Sequence, residues 1–490
     1  MNAYSQLLSL QPQAQRADAV RSSIAPLPII AAAAVAILVQ ALWIPIDADV
    51  SWLITVCDRV LAGDRLYVDI LEVNPPASVW MYLPLVWAAG IVGAKPEALI
   101  VAAFVAAALA SAVATARVAS RLGDGPAATW IGAAVAATTL VLPMGLFAQR
   151  EHAALLLAFP ALAVLAALAE DKAVGRAALC ASGIAAGLAI VIKPYFLLPV
   201  GIPAIWAAWK RGSLAPLLPA IGAAAAVVVA YALAILYFAQ AYLEWLPTLA
   251  PVYGRMHDLP WKIFVGPSLF PMLCLALVLM LRPPRIPAIA IAWALGSAGF
   301  MLAAFAQAKN YPNHWLPQSG LAFASAFAIL GSPGIERARR AAVGAALAFV
   351  MACAMYHWAI RPDPAVAAAI RQVAPPAPRV IALSTELTSG HPVTRNVGGR
   401  WIGSRASLFT ASGARFVGLD KPATRAAYRE DIQSFATDVD RGSPDVILVD
   451  RPTKAWLMRE PPVLRVMRGY RYAAITDTTE IWVRAARKTQ

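Results

Sequence analysis

Charge is scarce in this sequence. Asp, Glu, Lys and Arg make up 14% of its 490 residues, hydrophobic residues 60%, and the mean hydropathy is +0.64. A soluble domain is about half apolar and about a quarter charged, so an ordinary soluble protein is excluded. Cysteine is also rare. Of Cys57, Cys180, Cys274 and Cys353, the last three lie in apolar runs, so no disulfide framework is implied. There is no Gly-rich loop of the P-loop type, no metal-ligand spacing such as HExxH and no internal repeat, which leaves those chemistries without a signature. Acids number 27 against 41 Lys and Arg, and the formal charge of +14 says less than its placement.

The sequence does contain apolar runs of helix length. The first, residues 27–44, is followed by Trp43-Ile44-Pro45 at its end and by no small-residue cleavage site. It reads as a retained span, with residues 1–26 as a cytoplasmic segment. Further spans are expected near 98–116, 126–146, 153–169, 177–192, 196–209, 214–238, 263–281, 286–306, 315–331 and 341–360, about eleven in all. Residues 76–93 are long enough to cross, but three aromatics and Pro84 suit a helix lying at the interface. The basic residues decide. If 76–93 does not cross, Arg117, Arg121, Lys172, Arg176, Lys210, Arg211, Arg282, Arg285, Arg337, Arg339 and Arg340 join Arg16 and Arg21 inside. If it crosses, most of them fall outside, against the positive-inside rule.

An odd number of spans puts the tail, residues 361–490, on the outer side. It begins Pro-rich and holds 20 Lys and Arg against 12 Asp and Glu. Runs at Val380–Leu383, Asp445–Val449 and Ile481–Val483 read as strands, and 422–438 as a helix. The tail is expected to be a small α/β domain whose basic balance serves ordinary solubility, with anionic headgroups or an acidic glycan as the alternative partner. No nucleic-acid partner is expected.

Chemistry-bearing residues gather on the outer side. The stretch between the first two apolar runs, 45–76, holds Asp47, Asp49, Asp58, Asp64, Asp69 and Glu72. Later loops hold Gln149-Arg150-Glu151-His152, then Lys193-Pro194-Tyr195, then Arg255, His257 and Asp258, then Lys309-Asn310-Tyr311-Pro312-Asn313-His314. Taken singly, each has an ordinary explanation. Lys193 or Lys309 alone is a snorkelling anchor, Arg150 and Glu151 a local ion pair, and the Tyr and Trp residues an aromatic belt. Their convergence at one membrane face, and not at the midplane, suits a surface reaction better than a transporter.

Several of these stretches resemble the GT-C membrane glycosyltransferases, which include protein O-mannosyltransferases and lipid A aminoarabinose transferases. PIDADVSW…LAGDRLYVDILEVNPP is similar to the family's first outer loop, with an acidic pair, an amphipathic helix, a G-x-x-x-Y segment and a Pro-Pro step. QREHAALLLAFPAL resembles its second acidic site, GLAIVIKPYFLLP its lysine-bearing span end, and QAKNYPNHWLP a late loop of bacterial members. The layout covers residues 27–360. Asp49 is followed by Val50 where several relatives have Asp-Glu, so the acidic pair here is Asp47 and Asp49.

The resemblance implies an α-helical polytopic membrane protein with interfacial helices in a first outer loop at 45–97 and a C-terminal extracytoplasmic α/β domain at 361–490. It implies a bacterial inner-membrane enzyme with a periplasmic site. A sugar would pass from a polyprenyl-phosphate donor to a hydroxyl of a cell-envelope glycan or lipid, with inversion. The general base would be Asp49, with Asp47 second, and Glu151 would assist. Lys193, Lys309, Arg150 and His314 would meet the donor phosphate. Tyr67, Asn74, Tyr195, Tyr311 and His152 would line the substrate pocket. No cofactor is required, and a divalent cation is left open. A flippase for lipid-linked sugars and a non-catalytic assembly subunit remain the alternatives.

Overall fold

The computed structural model describes residues 46–123, 127–266, 269–358 and 364–485. The expected first span at 27–44 and the segment before it lie outside the described residues. Five described helices are long and apolar enough to cross a membrane: Pro96–Ala119, Arg150–Ala169, Ala215–Phe238, Ala288–Gln307 and Arg337–Trp358. The other spans expected within the described residues are shorter apolar helices, such as Arg176–Ile192 and Leu269–Leu281, or helices with polar ends, such as Pro312–Leu330.

Small residues let the helices approach. A Cβ on Gly183 would lie 2.1 Å from the Ala220 carbonyl oxygen, and one on Gly187 would lie 2.7 Å from the Val227 Cβ. Two glycines four apart thus seat the Leu218–Phe238 helix on Arg176–Ile192, by close packing where lipid offers no hydrophobic drive. Gly299 does the same against Pro199.

Residues 76–93 form two short helices, Ala77–Trp80 and Leu83–Val92, the second closed by Gly93 at φ 67°. Ten residues rise about 15 Å, half of the ~30 Å hydrocarbon core. The second helix alone is thus short for a crossing, and with the first it forms the shorter apolar stretch Ala77–Val92.

The tail is a five-stranded sheet in the order β2-β1-β3-β5-β4. Its strands are β1 Arg379–Leu383, β2 Arg400–Trp401, β3 Val446–Asp450, β4 Tyr470–Ile475 and β5 Thr479–Arg484. β1 runs parallel to β2 and β3, while β5 is antiparallel to β3 and β4. All of β3 is buried, which is why it reads as an unbroken apolar run. The helix expected at 422–438 runs Pro422–Gly442.

The tail packs on the first loop. Arg59 Nη1 donates to the Gly403 carbonyl (2.6 Å), and Leu71 N–H to that of Ser404 (2.7 Å). The two therefore lie on the same side of the bundle.

Candidate functional site

Four segments converge on this side. Ala48–Leu61 is a 14-residue helix, and Asp47 is its N-cap. The Asp47 carboxylate accepts from the Asp49 N–H at 2.8 Å and from Gln149 Nε2 at 2.6 Å. It is therefore committed to closing the helix and tying it to the next segment. Burial, then the charge of Asp49, raises its pKa from 3.8 to about 7. The Asp49 carboxylate is more open, 35% exposed, and faces the Arg150 guanidinium at 3.7 Å.

Arg150 and Glu151 are set by an unusual turn. The Ala128–Ala136 helix widens into a π-turn at Ala137–Val141, where the Thr138 and Thr139 hydroxyls bond back to the carbonyls of Ala134 and Val135. A 3-10 turn and Ala148 at φ 65° then reverse the chain into Arg150–Ala169. The Ala148 N–H donates to His152 Nδ1 at 3.1 Å. His152 packs among the rings of Phe147 and Phe104 at 4.7 and 5.4 Å. The structure thus uses His152 to hold the turn, and its contacts lead away from the polar cluster.

Glu151 is fully buried and is the hub of the second half. Its Oε1 accepts from Lys193 Nζ and, at 2.9 Å, from Asn313 Nδ2. Lys193 Nζ also lies 2.8 Å from His314 Nε2, and His314 is 3.9 Å from the same carboxylate oxygen. Lys193 ends its helix as the C-cap, and Asn313 and His314 open the helix Pro312–Leu330. Among the described residues, buried atoms of this cluster nonetheless lack a hydrogen-bond partner, including Glu151 Oε2 and Arg150 Nε and Nη1. Leaving such donors dry is costly, although the carboxylates of Glu151, Asp49 and Glu72 all act on the guanidinium.

Lys309 sits apart from that hub. Its ammonium donates to the carbonyls of Tyr253 (2.9 Å) and Met256 and lies 4.4 Å from the Tyr253 ring centre. It caps the C-terminal end of the helix Gln240–Tyr253, whose dipole favours a cation there. Burial, partly offset by Asp258, lowers its pKa to about 8. Tyr311 adjoins both groups. Its ring meets His314 at 5.8 Å, and the charges of Asp258, Glu386 and Asp49 act on its hydroxyl.

Tyr67 and Asn74 shape the first loop. Tyr67 is held at φ 65°, donates to the Asn74 carbonyl at 2.6 Å and packs on Tyr242. Asn74 donates through its N–H (2.9 Å) and its side-chain amide to Glu72, whose other oxygen accepts from Trp52 Nε1. Tyr195 is 45% exposed, and no hydrogen bond or ring contact among the described residues joins it to the cluster.

Sequence reasoning missed Gln149, Asn313 and Glu72 as members of this network. Each stood inside or beside a quoted motif, but a neutral amide beside stronger groups gives no signal of its own. Glu72 was one of six loop acids, and its burial was the distinguishing feature. Among the described residues, no three His, Cys, Asp or Glu side chains are grouped to hold a metal ion.

The fold has known counterparts. The chain is similar to the crystal structure of ArnT from Cupriavidus metallidurans bound to undecaprenyl phosphate. The TM-score is 0.55 and the identity 15%, over 95% of this chain and 99% of that one. Weaker likenesses are to the mycobacterial arabinofuranosyltransferase AftD (TM-score 0.44, 14% identity, 94% of this chain, 40% of that one) and to the archaeal oligosaccharyltransferase AglB from Archaeoglobus fulgidus (TM-score 0.41, 12% identity, 95% and 75%). No family model and no curated protein sequence matches the chain. The chain has the GT-C fold, as its first-loop and span-end motifs had suggested.

Proposed function

We propose that this protein is a membrane glycosyltransferase that moves a sugar from a polyprenyl-phosphate donor to an acceptor hydroxyl, with Asp49 as general base. The observation that carries the reading is the pairing of Asp49 with Arg150. An open carboxylate stands 3.7 Å from a buried guanidinium that has two unmet donors. One group suits a proton and the other a phosphate. That ArnT, which shares the fold, was crystallised with undecaprenyl phosphate supports the donor class.

In the proposed step the acceptor oxygen attacks the anomeric carbon from the face opposite the phosphate. Its proton passes to a carboxylate oxygen of Asp49 as the new C–O bond forms. The bond from the anomeric carbon to the phosphate oxygen breaks, and polyprenyl phosphate leaves as an anion. Arg150 neutralises the developing charge, and Lys193 stands behind it. Glu151 holds Lys193, Asn313 and His314 in place and is a positioning residue in this scheme. Asp47 fixes the start of the base-bearing helix. Lys309 secures the Gln240–Tyr253 helix beside the pocket. The acceptor would be an envelope glycan or lipid, and the site would face the periplasm of a bacterial inner membrane.

Asp49→Asn, assayed with purified protein or by the envelope glycans of cells carrying it, should lose transfer by roughly 100- to 10,000-fold, the worth of a general base. It should bind undecaprenyl phosphate normally. Turnover near that of the unaltered protein would remove Asp49 from the mechanism.

A further inference from the structure

The helix that carries Asp49 is not held by the bundle alone. Its buried residues Val50, Trp52, Leu53, Ile54 and Cys57 join the main apolar core, and Trp52 and Arg59, seven apart and so on one face, also meet the tail domain. The Trp52 ring lies 5.2 Å from His391, which in turn lies 4.5 Å from Trp401. Gly390 makes room for this stack, since a Cβ there would come within 2.6 Å of the Trp401 ring. Arg59 donates to the Gly403 carbonyl. At the far end of the helix, Arg395 of the tail bonds Asp58 and Glu97, both at 2.5 Å. Arg395 thus joins the base-bearing helix to the start of the Pro96–Ala119 span, and its side chain is 18% exposed.

We propose that the tail domain is a clamp that fixes the Ala48–Leu61 helix against the bundle, with Arg395 and Trp401 as positioning residues for Asp49. The inference rests on Asp49 being the base. Trp52 is one turn from Asp49, and Trp52 also donates to Glu72, which organises the loop up to Asn74. A helix free to slide or tilt by about 1 Å would carry its carboxylate out of line, and misplacement on that scale costs up to about 100-fold in rate. Arg150, Lys193 and His314 are carried on other segments, which meet this helix at its N-terminal end through the Asp47–Gln149 bond and the Asp49–Arg150 pair, so loosening its tail-facing side should disturb Asp49 more than the proposed phosphate-binding groups. The clamp therefore separates two properties that global damage would lose together.

The test uses the full-length protein in detergent, with Arg395→Ala, Arg395→Lys and Trp401→Leu. Three quantities are read: affinity for undecaprenyl phosphate, amide exchange across 48–61 against 288–307, and glycan product in cells carrying only the variant. Arg395→Ala and Trp401→Leu should leave undecaprenyl phosphate affinity within about twofold, speed exchange across 48–61 but not 288–307, and lower transfer roughly 10- to 100-fold. Arg395→Lys, which keeps the charge but not both bonds, should fall between. Normal transfer despite faster exchange would overturn the proposal, and so would unchanged exchange. Affinity lost in step with transfer would overturn it too, by showing general damage. If Asp49→Asn keeps transferring while Arg395→Ala does not, the base assignment is at fault and the clamp acts on some other group.

Discussion

Replacing Glu151 by Gln keeps the shape of the hub and removes its charge. The carboxylate is fully buried and Lys193 is 10% exposed, so the pair has almost no solvent to fall back on. Removing one partner of a buried ion pair leaves the other uncompensated, at a cost of about 3–5 kcal/mol. An unfolding entropy of roughly 2.1 cal/mol/K per residue, over 490 residues, amounts to about 1 kcal/mol per degree. Glu151→Gln should therefore lower Tm by about 3–5 °C, read by fluorescence-detected melting in detergent. The double variant Glu151→Gln/Lys193→Met removes both charges of the pair and leaves Arg150 to Asp49 and Glu72, so it should regain part of the loss, because a buried pair is worth little more than an apolar pair of its size. A single variant that melts like the unaltered protein, or a double variant no better than the single, would refute the view of Glu151 as the group that neutralises Lys193.

Further outcomes are expected. Arg150→Gln should weaken undecaprenyl phosphate binding about 10- to 100-fold, the worth of one charged hydrogen-bonding group at 1.5–3 kcal/mol; equal affinity in a titration would take the phosphate away from Arg150. Asp47 has its pKa raised to about 7 in the folded protein against 3.8 ordinarily, so it favours folding fully only below pH ~4 and that contribution is lost as pH rises through 7. Asp47→Asn should therefore flatten the dependence of Tm on pH between about 4 and 7.5 and stabilise the protein most at the upper end; parallel curves for the two proteins would count against it. Gly183→Val should disrupt the seat of the Leu218–Phe238 helix, with about 1–3 kcal/mol lost to overpacking; an unaltered melt would mean that the two helices part without cost.

The outline of the fold was legible because its causes are local. Long apolar runs and the apolar strand cores of β1, β3 and β5 each act within a few residues. β2 has only two residues, and β4 alternates Tyr, Arg and Tyr on an edge strand, so neither left an apolar run to find. The site was legible as a set of segments but not as a set of roles. Lys193 and Lys309 look alike in sequence, each at a span end with a Tyr two residues on. One lies in the buried hub with Glu151, whereas the other caps a helix through two carbonyls. His152, adjacent to Glu151, is turned by one residue of helix into the Phe104 and Phe147 rings. Such distinctions depend on which face a neighbouring helix covers. The clamp between Arg395, Asp58 and Glu97 joins residues some 300 positions apart, and no local pattern announces it.

The most direct measurement compares Asp49→Asn and Asp49→Glu for both undecaprenyl phosphate binding and glycan transfer in one preparation. A base at this position predicts normal binding in both variants, transfer abolished by Asn, and partial transfer with Glu. Transfer that survives Asn, or binding that fails along with it, would contradict a proton-accepting carboxylate at the head of this helix.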